Sequence, residues 1–179
     1  MCKIRRTFLV ATITALVTGL GTAAYGHATG TDADAPPPSG DFTGHLIFPI
    51  YVSDVEVSAA FYRDVLGFQF LGYFDYGTNS YVSAWEDTIP PTYAGFVAGD
   101  QKFGLHRPVD EAQAKCVGCG RYYFRVNDVD AEYERITAKG ARVSQIHSSP
   151  LLRRFYVPDP DGLKIFFAET AEGALLDPW

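Results

Sequence analysis

Two stretches of this chain share one pattern, and this repeat restricts the possible folds more than any other feature. Residues 48–67 and 122–140 each begin with alternating apolar positions, which predict a half-buried strand, and continue as an amphipathic helical segment that stops at a glycine. Asp54 and Asp128 stand at the two junctions, where a carboxylate can accept hydrogen bonds from the first amides of a helix. The chain therefore contains two copies of one strand–helix unit.

Three strand-like runs follow each helical segment. They span residues 68–76, 80–85 and 102–106 in the first half, and 141–147, 152–157 and 163–168 in the second. Pro90-Pro91 makes residues 86–95 a predicted loop that can cover a cleft. The prediction is an α+β fold of two βαβββ modules, at about 45–110 and 120–169. One module leaves a sheet face open, so two modules form an open, incompletely closed sheet cleft.

The N-terminus has the layout of a secretory signal peptide over residues 1–28. Lys3, Arg5 and Arg6 precede an uncharged apolar run, and small residues stand before a cut after Ala28. The adjacent arginines also fit a twin-arginine signal, so both export routes stay open. We expect an exported protein, periplasmic or secreted, without a stable membrane anchor after processing.

The remaining chain divides into a linker, one domain and a short tail. Residues 29–41 contain three consecutive prolines among small and polar residues and have no hydrophobic period, which indicates a linker. Residues 42–170 hold both modules, and residues 171–179 form a C-terminal tail. The formal net charge of −6 argues against nucleic acid as a partner, because such proteins need a basic face.

Three motifs resemble the vicinal oxygen chelate superfamily, which includes glyoxalases, bleomycin-resistance proteins and dioxygenases. They are VSDVEVSAAFYRDVLGF at 52–68, FRVNDVDAEYERITAKGARV at 124–143 and FYVPDPDGLKIFFAE at 155–169. The resemblance implies the paired-module fold and a homodimer, since many relatives dimerise, sometimes by exchanging halves. It leaves the function open, because the family holds metal-dependent enzymes as well as drug-binding proteins.

The same resemblance locates the positions at which metalloenzymes of this family carry His, Gln or Glu ligands, on the first and last strand of each half. Carried over by counting, these positions are Ile47, Gly104, Arg121 and Phe166. None of these side chains can bind a metal. We therefore predict no metal and no other cofactor. The alternative is a register shift that brings in His45 or His106, each two residues from such a position.

Strand alternation predicts which side chains line the cleft, because every second residue of a strand faces the same way. Phe48, Ile50 and Val52 should pack under the first helix, and Tyr122, Phe124 and Val126 under the second. The residues predicted to bind a ligand on the opposite face are Tyr51, Lys102, His106, Arg121, Tyr123, Arg125, Lys164 and Phe166, and Arg153 or Arg154 adds one more cation. Cations and rings together favour a small anionic or phenolic, partly aromatic ligand. The alternative is that some of these residues reach solvent at strand ends.

Cys116 and Cys119 lie between the two halves, and Cys2 leaves with the signal. A pair of cysteines in an exported protein predicts a local disulfide; free thiols and a redox role are the alternatives. Zinc would need two further ligands, which no second C-x-x-C supplies.

Three functions fit these observations. The first is a binding protein that holds its ligand without chemistry or metal. The second is a metal-free lyase, isomerase or cyclase, with His106 or Tyr123 as acid or base and Arg121 stabilising an enolate or phenolate. The third is a metal-dependent lyase or dioxygenase. The sequence favours the first narrowly over the second and does not decide whether the protein is an enzyme.

Overall fold

The computed structural model describes residues 47–170, which contain both predicted modules. The predicted signal peptide, the linker, His45 and the C-terminal tail lie outside these residues. Within them, no helix is long and apolar enough to cross a membrane.

The first module forms a five-stranded sheet in the order β1-β5-β4-β2-β3. Its elements are β1 (Ile47–Tyr51), α1 (Val55–Ala60), a π-helical turn (Phe61–Val65), β2 (Gln69–Asp75), β3 (Ser80–Val82), β4 (Tyr93–Ala98) and β5 (Gln101–His106). β1 and β5 pair in parallel, and the other pairs are antiparallel. This sheet is the βαβββ unit with β3 added at its edge.

The second module forms a four-stranded sheet in the order β6-β9-β8-β7. A short helix, α2 (Glu111–Ala114), precedes it, and its elements are β6 (Arg121–Arg125), α3 (Val129–Ala138), β7 (His147–Ser148), β8 (Leu152–Pro158) and β9 (Lys164–Thr170). β6 and β9 pair in parallel, as β1 and β5 do. The predicted α+β fold of two βαβββ modules with open sheets is confirmed.

The helical segments of the two modules begin directly after the predicted caps and end before the predicted glycines, the first by way of the π-helical turn. The Asp54 carboxylate accepts hydrogen bonds from the amides of Glu56 and Val57, and Asp128 accepts one from the amide of Ala131. Gly67 and Gly140 follow the helical segments with φ of 79° and 78°, a region that favours glycine.

The core lies between the sheets and the helices, on the face that alternation predicted. Ile50, Val52, Phe103 and Leu105 are buried in the first module, and Leu163, Ile165 and Phe167 in the second. Phe68 joins the two groups, because its ring lies 5.2 Å from Phe103 and 4.5 Å from Phe124. The helix-side faces of both sheets therefore share one core, and the alternate residues point to the opposite faces.

Polar contacts also connect the modules. The buried Tyr62 hydroxyl donates to Asp159 Oδ2 at 3.0 Å, and the Ser53 amide donates to Asp161 Oδ2 at 2.9 Å. The Arg135 guanidinium donates to the carbonyl oxygens of Val65 and Leu66 at 3.2 and 2.7 Å.

Two strand predictions were wrong in position. Residues 93–98 form β4, the central strand of the first sheet, although residues 86–95 were predicted as a loop and residues 80–85 as the strand. Pairing with both β2 and β5 overrides the local effect of the two prolines, and β3 is only three residues long. In the second module, residues 141–146 do not form a regular strand. The Tyr156 amide donates to the Ser144 hydroxyl, in place of a backbone carbonyl oxygen of a paired strand.

Candidate functional site

Two aromatic rings form the centre of the open face of the second sheet. Tyr123 on β6 and Phe166 on β9 are register partners, and their rings stack at 4.4 Å between centroids, 11° from parallel. Tyr156 on β8 lies 5.4 Å from Phe166. This packing leaves Phe166 only 7% exposed. Tyr123 and Phe166 are thus brought together on the face where they were predicted.

Two cations lie against these rings. The Arg154 guanidinium lies 5.8 Å from the Tyr123 ring centre and 5.7 Å from that of Phe166, and it donates to the Tyr123 hydroxyl at 3.3 Å. Lys164 Nζ lies 4.7 Å from the centre of the Tyr156 ring. All three cation–ring distances are within the range at which a ring face attracts a cation. Arg154 and Tyr156 both come from β8. They are two residues apart, so strand alternation predicts that their side chains share one face.

The remaining basic residues of β6 flank the rings. Arg121 and Arg125 are exposed and occupy the positions on either side of Tyr123, opposite Lys164 and Ala168. Arg153 faces the other way, because it pairs with Asp130 at 2.8 and 2.9 Å and lies 3.7 Å from Glu169. The alternative between Arg153 and Arg154 is therefore resolved in favour of Arg154.

The other predicted residues lie on the first sheet. Tyr51 and His106 are register partners whose ring centres are 6.2 Å apart, and Tyr93 on β4 lies 4.5 Å from His106. Burial lowers the pKa of His106, so its imidazole is neutral near pH 7. Lys102 is exposed near the start of β5. The predicted site residues thus fall into a group on each sheet.

Two glycines determine how the tyrosines of the first sheet lie. A Cβ atom at Gly104 would overlap the Tyr93 ring, and one at Gly95 would come within 2.7 Å of the Tyr81 ring. Each tyrosine therefore rests on backbone rather than on a side chain. The prediction omitted Tyr93 from the binding residues because its strand had been taken as a loop.

A groove between the modules is lined by residues of both, among them Tyr123 and Arg125 of β6. Its wall includes Phe68, Val97 and Arg135. Arg135 already holds Glu132 and the end of the π-helical turn. Tyr123 therefore borders this groove and also belongs to the stacked ring pair of the second sheet.

The donor chemistry at the family's ligand positions does not match a metal. Gly104 lies beneath the Tyr93 ring, and the Phe166 ring is packed on Tyr123. Arg121 is a cation in the third position. Within residues 47–170, no three His, Cys, Asp or Glu side chains come together as a group that could hold a metal ion.

The two cysteines follow α2. Both thiols are free and exposed, and the Cys119 Sγ donates to the carbonyl oxygen of Lys115 at 3.1 Å. The disulfide stays a prediction.

The fold and the ring-lined open faces place this chain among two-module proteins whose sheets form a cleft. The chain belongs to the Glyoxalase/Bleomycin resistance protein/Dioxygenase superfamily, whose family model matches residues 42–167. The resemblance drawn from the three motifs is confirmed. No curated protein matches the chain.

Solved structures show the same fold at low identity. TnmS3, an antibiotic-binding protein from Streptomyces sp. CB03234, is 21% identical with a TM-score of 0.57, over 74% of this chain and 99% of that chain. A lactoylglutathione lyase from Agrobacterium tumefaciens is 24% identical with a TM-score of 0.54, over 79% and 99%. TioX from Micromonospora sp. ML1 is 22% identical with a TM-score of 0.54, over 71% and 98%. Since these relatives include a binding protein and a lyase, the fold alone does not separate the two functions.

Proposed function

We propose that this chain is an exported protein that binds a small anionic or phenolic, partly aromatic molecule without a metal. The observation that carries the proposal is the Arg154 guanidinium beside the stacked rings of Tyr123 and Phe166. This arrangement combines a flat apolar surface with a planar donor for a carboxylate or phenolate.

Charge supports an anion as the bound group. The chain is acidic overall, at −6, but the open face of the second sheet carries four basic residues. They are Arg121, Arg125, Arg154 and Lys164. A concentration of positive charge on an acidic protein attracts a negatively charged ligand to this face. Lys164 and Arg154 lie directly against rings, so the bound anion would adjoin an aromatic surface.

The metal-free part of the proposal rests on donor chemistry. Glycine and phenylalanine offer no ligand atom, and arginine stays protonated and repels a metal cation. Gly104, Arg121 and Phe166 hold three of the positions that relatives use, so a metal held in the family's manner lacks its ligands. TnmS3, which has the same fold, is an antibiotic-binding protein, and this agrees with binding as the activity.

A metal-free enzyme is the second candidate, and His106 is the observation that favours it. Its imidazole is neutral near pH 7 and lies 4.5 Å from the Tyr93 ring, so it could accept a proton from a ligand hydroxyl. If the wild type converts a bound compound, and His106→Gln still binds this compound but no longer converts it, the protein is an enzyme rather than a binding protein.

Export and dimerisation belong to the same proposal. N-terminal sequencing of the mature protein from the extracellular or periplasmic fraction tests removal of residues 1–28. Analytical ultracentrifugation of the mature protein gives its molar mass in solution and so tests the homodimer. In such a dimer, each copy would contribute an open sheet face to the ligand site.

The binding experiment measures aromatic carboxylates by calorimetry, together with mass spectrometry of small molecules that co-purify with the native protein. Arg154→Gln should weaken binding of naphthalene-2-carboxylate by roughly 10- to 100-fold, since a hydrogen bond to a charged group contributes about 1.5–3 kcal/mol. Arg142→Gln is the matched control, because Arg142 is exposed and follows α3. Equal affinities of both variants and the wild type would refute the assigned face, and stoichiometric metal in the purified protein would refute the metal-free site.

A further inference from the structure

We infer that Cys116 and Cys119 form a reversible thiol–disulfide site, which low-molecular-weight disulfides oxidise and low-molecular-weight thiols reduce. The inference goes beyond the proposed function, because it concerns neither the open sheet faces nor their ligand. The two cysteines occupy the connection between α2 and β6, and both are exposed. In the mature protein, which lacks Cys2, they are the two cysteines of the chain.

The backbone between the two cysteines is a closed β-turn. The Cys119 amide donates to the Cys116 carbonyl oxygen at 3.1 Å, and Gly118, the third residue of the turn, has a φ of 71°. This pattern is typical of a type II turn, in which the first and last Cα atoms lie within about 7 Å of each other. The Cα atoms of a disulfide are usually about 4.4–6.8 Å apart. The turn therefore brings the cysteines to a separation that a disulfide can bridge with little movement of the backbone.

Contacts on both sides hold this turn in place. A Cβ atom at Gly118 would lie 2.6 Å from the carbonyl oxygen of Asp161, so the glycine packs directly on the turn between β8 and β9. The Asp161 carboxylate in turn accepts a hydrogen bond from the Ser53 amide of the first module. On the other side, the Cys116 amide donates to the Gln113 carbonyl oxygen at 2.9 Å and connects the turn to α2. The turn therefore keeps its shape without help from a disulfide.

The same backbone also accommodates the reduced state. The Cys119 Sγ donates to the Lys115 carbonyl oxygen at 3.1 Å, and the Cys116 Sγ donates to the Ala112 carbonyl oxygen at 3.5 Å. Each thiol thus has an acceptor within the protein. Because one turn suits two thiols as well as a disulfide, the redox state can change without unfolding of the chain.

The shortness of the ring favours a disulfide that is easy to reduce. A disulfide stabilises a fold largely by closing a loop of the unfolded chain, and in this model the stabilisation grows with the length of the loop. A bridge between Cys116 and Cys119 closes only residues 116–119, so folding protects it little against reduction. Both cysteines are exposed, and exchange requires that a thiolate reach the sulfur it attacks. Exposed disulfides are typically the labile ones, whereas structural disulfides resist reduction by glutathione.

Oxidation by glutathione disulfide takes two exchange steps. One cysteine loses its proton to water, and its thiolate attacks a sulfur of glutathione disulfide; the S–S bond of the reagent breaks, which gives a mixed disulfide and one glutathione thiolate. The second cysteine then loses its proton, and its sulfur attacks the cysteine sulfur of the mixed disulfide and releases the second glutathione. The protein gives up two electrons and two protons, which glutathione disulfide takes up as two thiols. Excess glutathione reverses both steps.

Mass spectrometry of the intact mature protein in glutathione buffers tests the inference. As the ratio of glutathione disulfide to glutathione rises, the mass should fall by about 2 Da, the loss of two hydrogens, without a lasting glutathione adduct. Excess glutathione should restore the original mass. Cys116→Ser and Cys119→Ser should each stop at the mixed disulfide, because the second thiol is missing.

Gly118→Ala tests the role of the turn while both cysteines remain. The new Cβ must move away from the Asp161 carbonyl oxygen and is strained at a positive φ, so the step that closes the internal disulfide should slow by about tenfold and the mixed disulfide should accumulate. Gly140→Ala is the matched control, because Gly140 has a φ of 78° and a Cβ there meets no atom within 4 Å. Its closing step should match that of the wild type.

Four results would each overturn the inference. An internal disulfide that the native protein keeps in excess glutathione would be a structural bridge, and two thiols that never react with glutathione disulfide would be inert. Glutathione adducts that persist on the wild type would show that the cysteines do not meet. Equal closing rates in Gly118→Ala and Gly140→Ala would show that the turn does not bring them together.

Discussion

Substitution of Tyr62 by phenylalanine isolates one hydrogen bond between the two modules. The Tyr62 side chain is fully buried, and its hydroxyl donates to Asp159 Oδ2 at 3.0 Å; Asp159 is only 6% exposed. The other oxygen, Oδ1, accepts from the amides of Asp161 and Leu163. Phenylalanine preserves the packing and leaves Oδ2 of a buried carboxylate without this donor, so Tyr62→Phe should lower the free energy of unfolding by about 1–3 kcal/mol.

The size of this loss should depend on pH. Burial raises the pKa of Asp159, and the hydrogen bonds from the Leu163 amide and the Tyr62 hydroxyl offset part of that rise. Because the folded state holds the proton more tightly than the unfolded state, the contribution of Asp159 to stability is largest below its ordinary pKa of 3.8 and is lost as pH rises through the raised pKa. Removing the Tyr62 hydroxyl raises the pKa of Asp159 further. The deficit of Tyr62→Phe relative to the wild type should therefore be smaller at about pH 4 than at about pH 7.

Urea unfolding at both pH values measures these differences. Tyr133→Phe is the matched control, because its half-buried ring packs on Phe155 in the second module alone. A change of about 1–3 kcal/mol in the free energy of unfolding shifts the urea midpoint by well more than the error of the measurement for a domain of this size. A deficit below about 0.5 kcal/mol at neutral pH, or one that grows as pH falls, would contradict the assigned contact.

Three further predictions concern the helix ends and can be checked in the same unfolding assay. Asp128→Ala removes the cap of α3 and should cost about 1 kcal/mol, whereas Asp128→Ser should restore most of it. Gly67→Ala and Gly140→Ala should each lower the free energy of unfolding by about 1–2 kcal/mol, because both glycines have positive φ. Gly67→Ala should lower it further, because its new Cβ lies 3.0 Å from the Arg135 guanidinium, whereas a Cβ at position 140 meets no atom within 4 Å. Arg135→Leu should cost about 1.5–3 kcal/mol, because it removes the hydrogen bonds to the Val65 and Leu66 carbonyl oxygens; an effect no larger than that of the exposed Arg142→Leu would contradict this role.

Sequence periodicity predicted the parts of this fold that local chemistry determines. Asp54 and Asp128 cap helices because their carboxylates reach the next free amides, and alternation assigned Ile50 and Ile165 to the core. These features depend on residues a few positions apart, so the linear pattern contains them.

The pairing of distant strands could not be predicted in the same way. β4 follows Pro90-Pro91, a strong local turn signal, and becomes a strand because β2 and β5 supply hydrogen bonds on both sides. For the same reason, Tyr93 was missing from the predicted binding residues. The choice between Arg153 and Arg154 also depended on partners far along the chain, since Asp130 on α3 turns Arg153 away from the rings.

Because the two modules repeat one pattern, equivalent strand pairs can be compared, and their residue types differ. The parallel pairs of the first sheet run from Ile47 and Lys102 through Pro49 and Gly104 to Tyr51 and His106.

In the second sheet the corresponding pairs are Arg121 with Lys164, Tyr123 with Phe166, and Arg125 with Ala168. Aromatic pairs thus occupy the third position on one sheet and the second on the other, and the cations gather on the second sheet. The aromatic pairs of the two modules therefore lie at different levels along the strands, and the second module combines its pair with several cations.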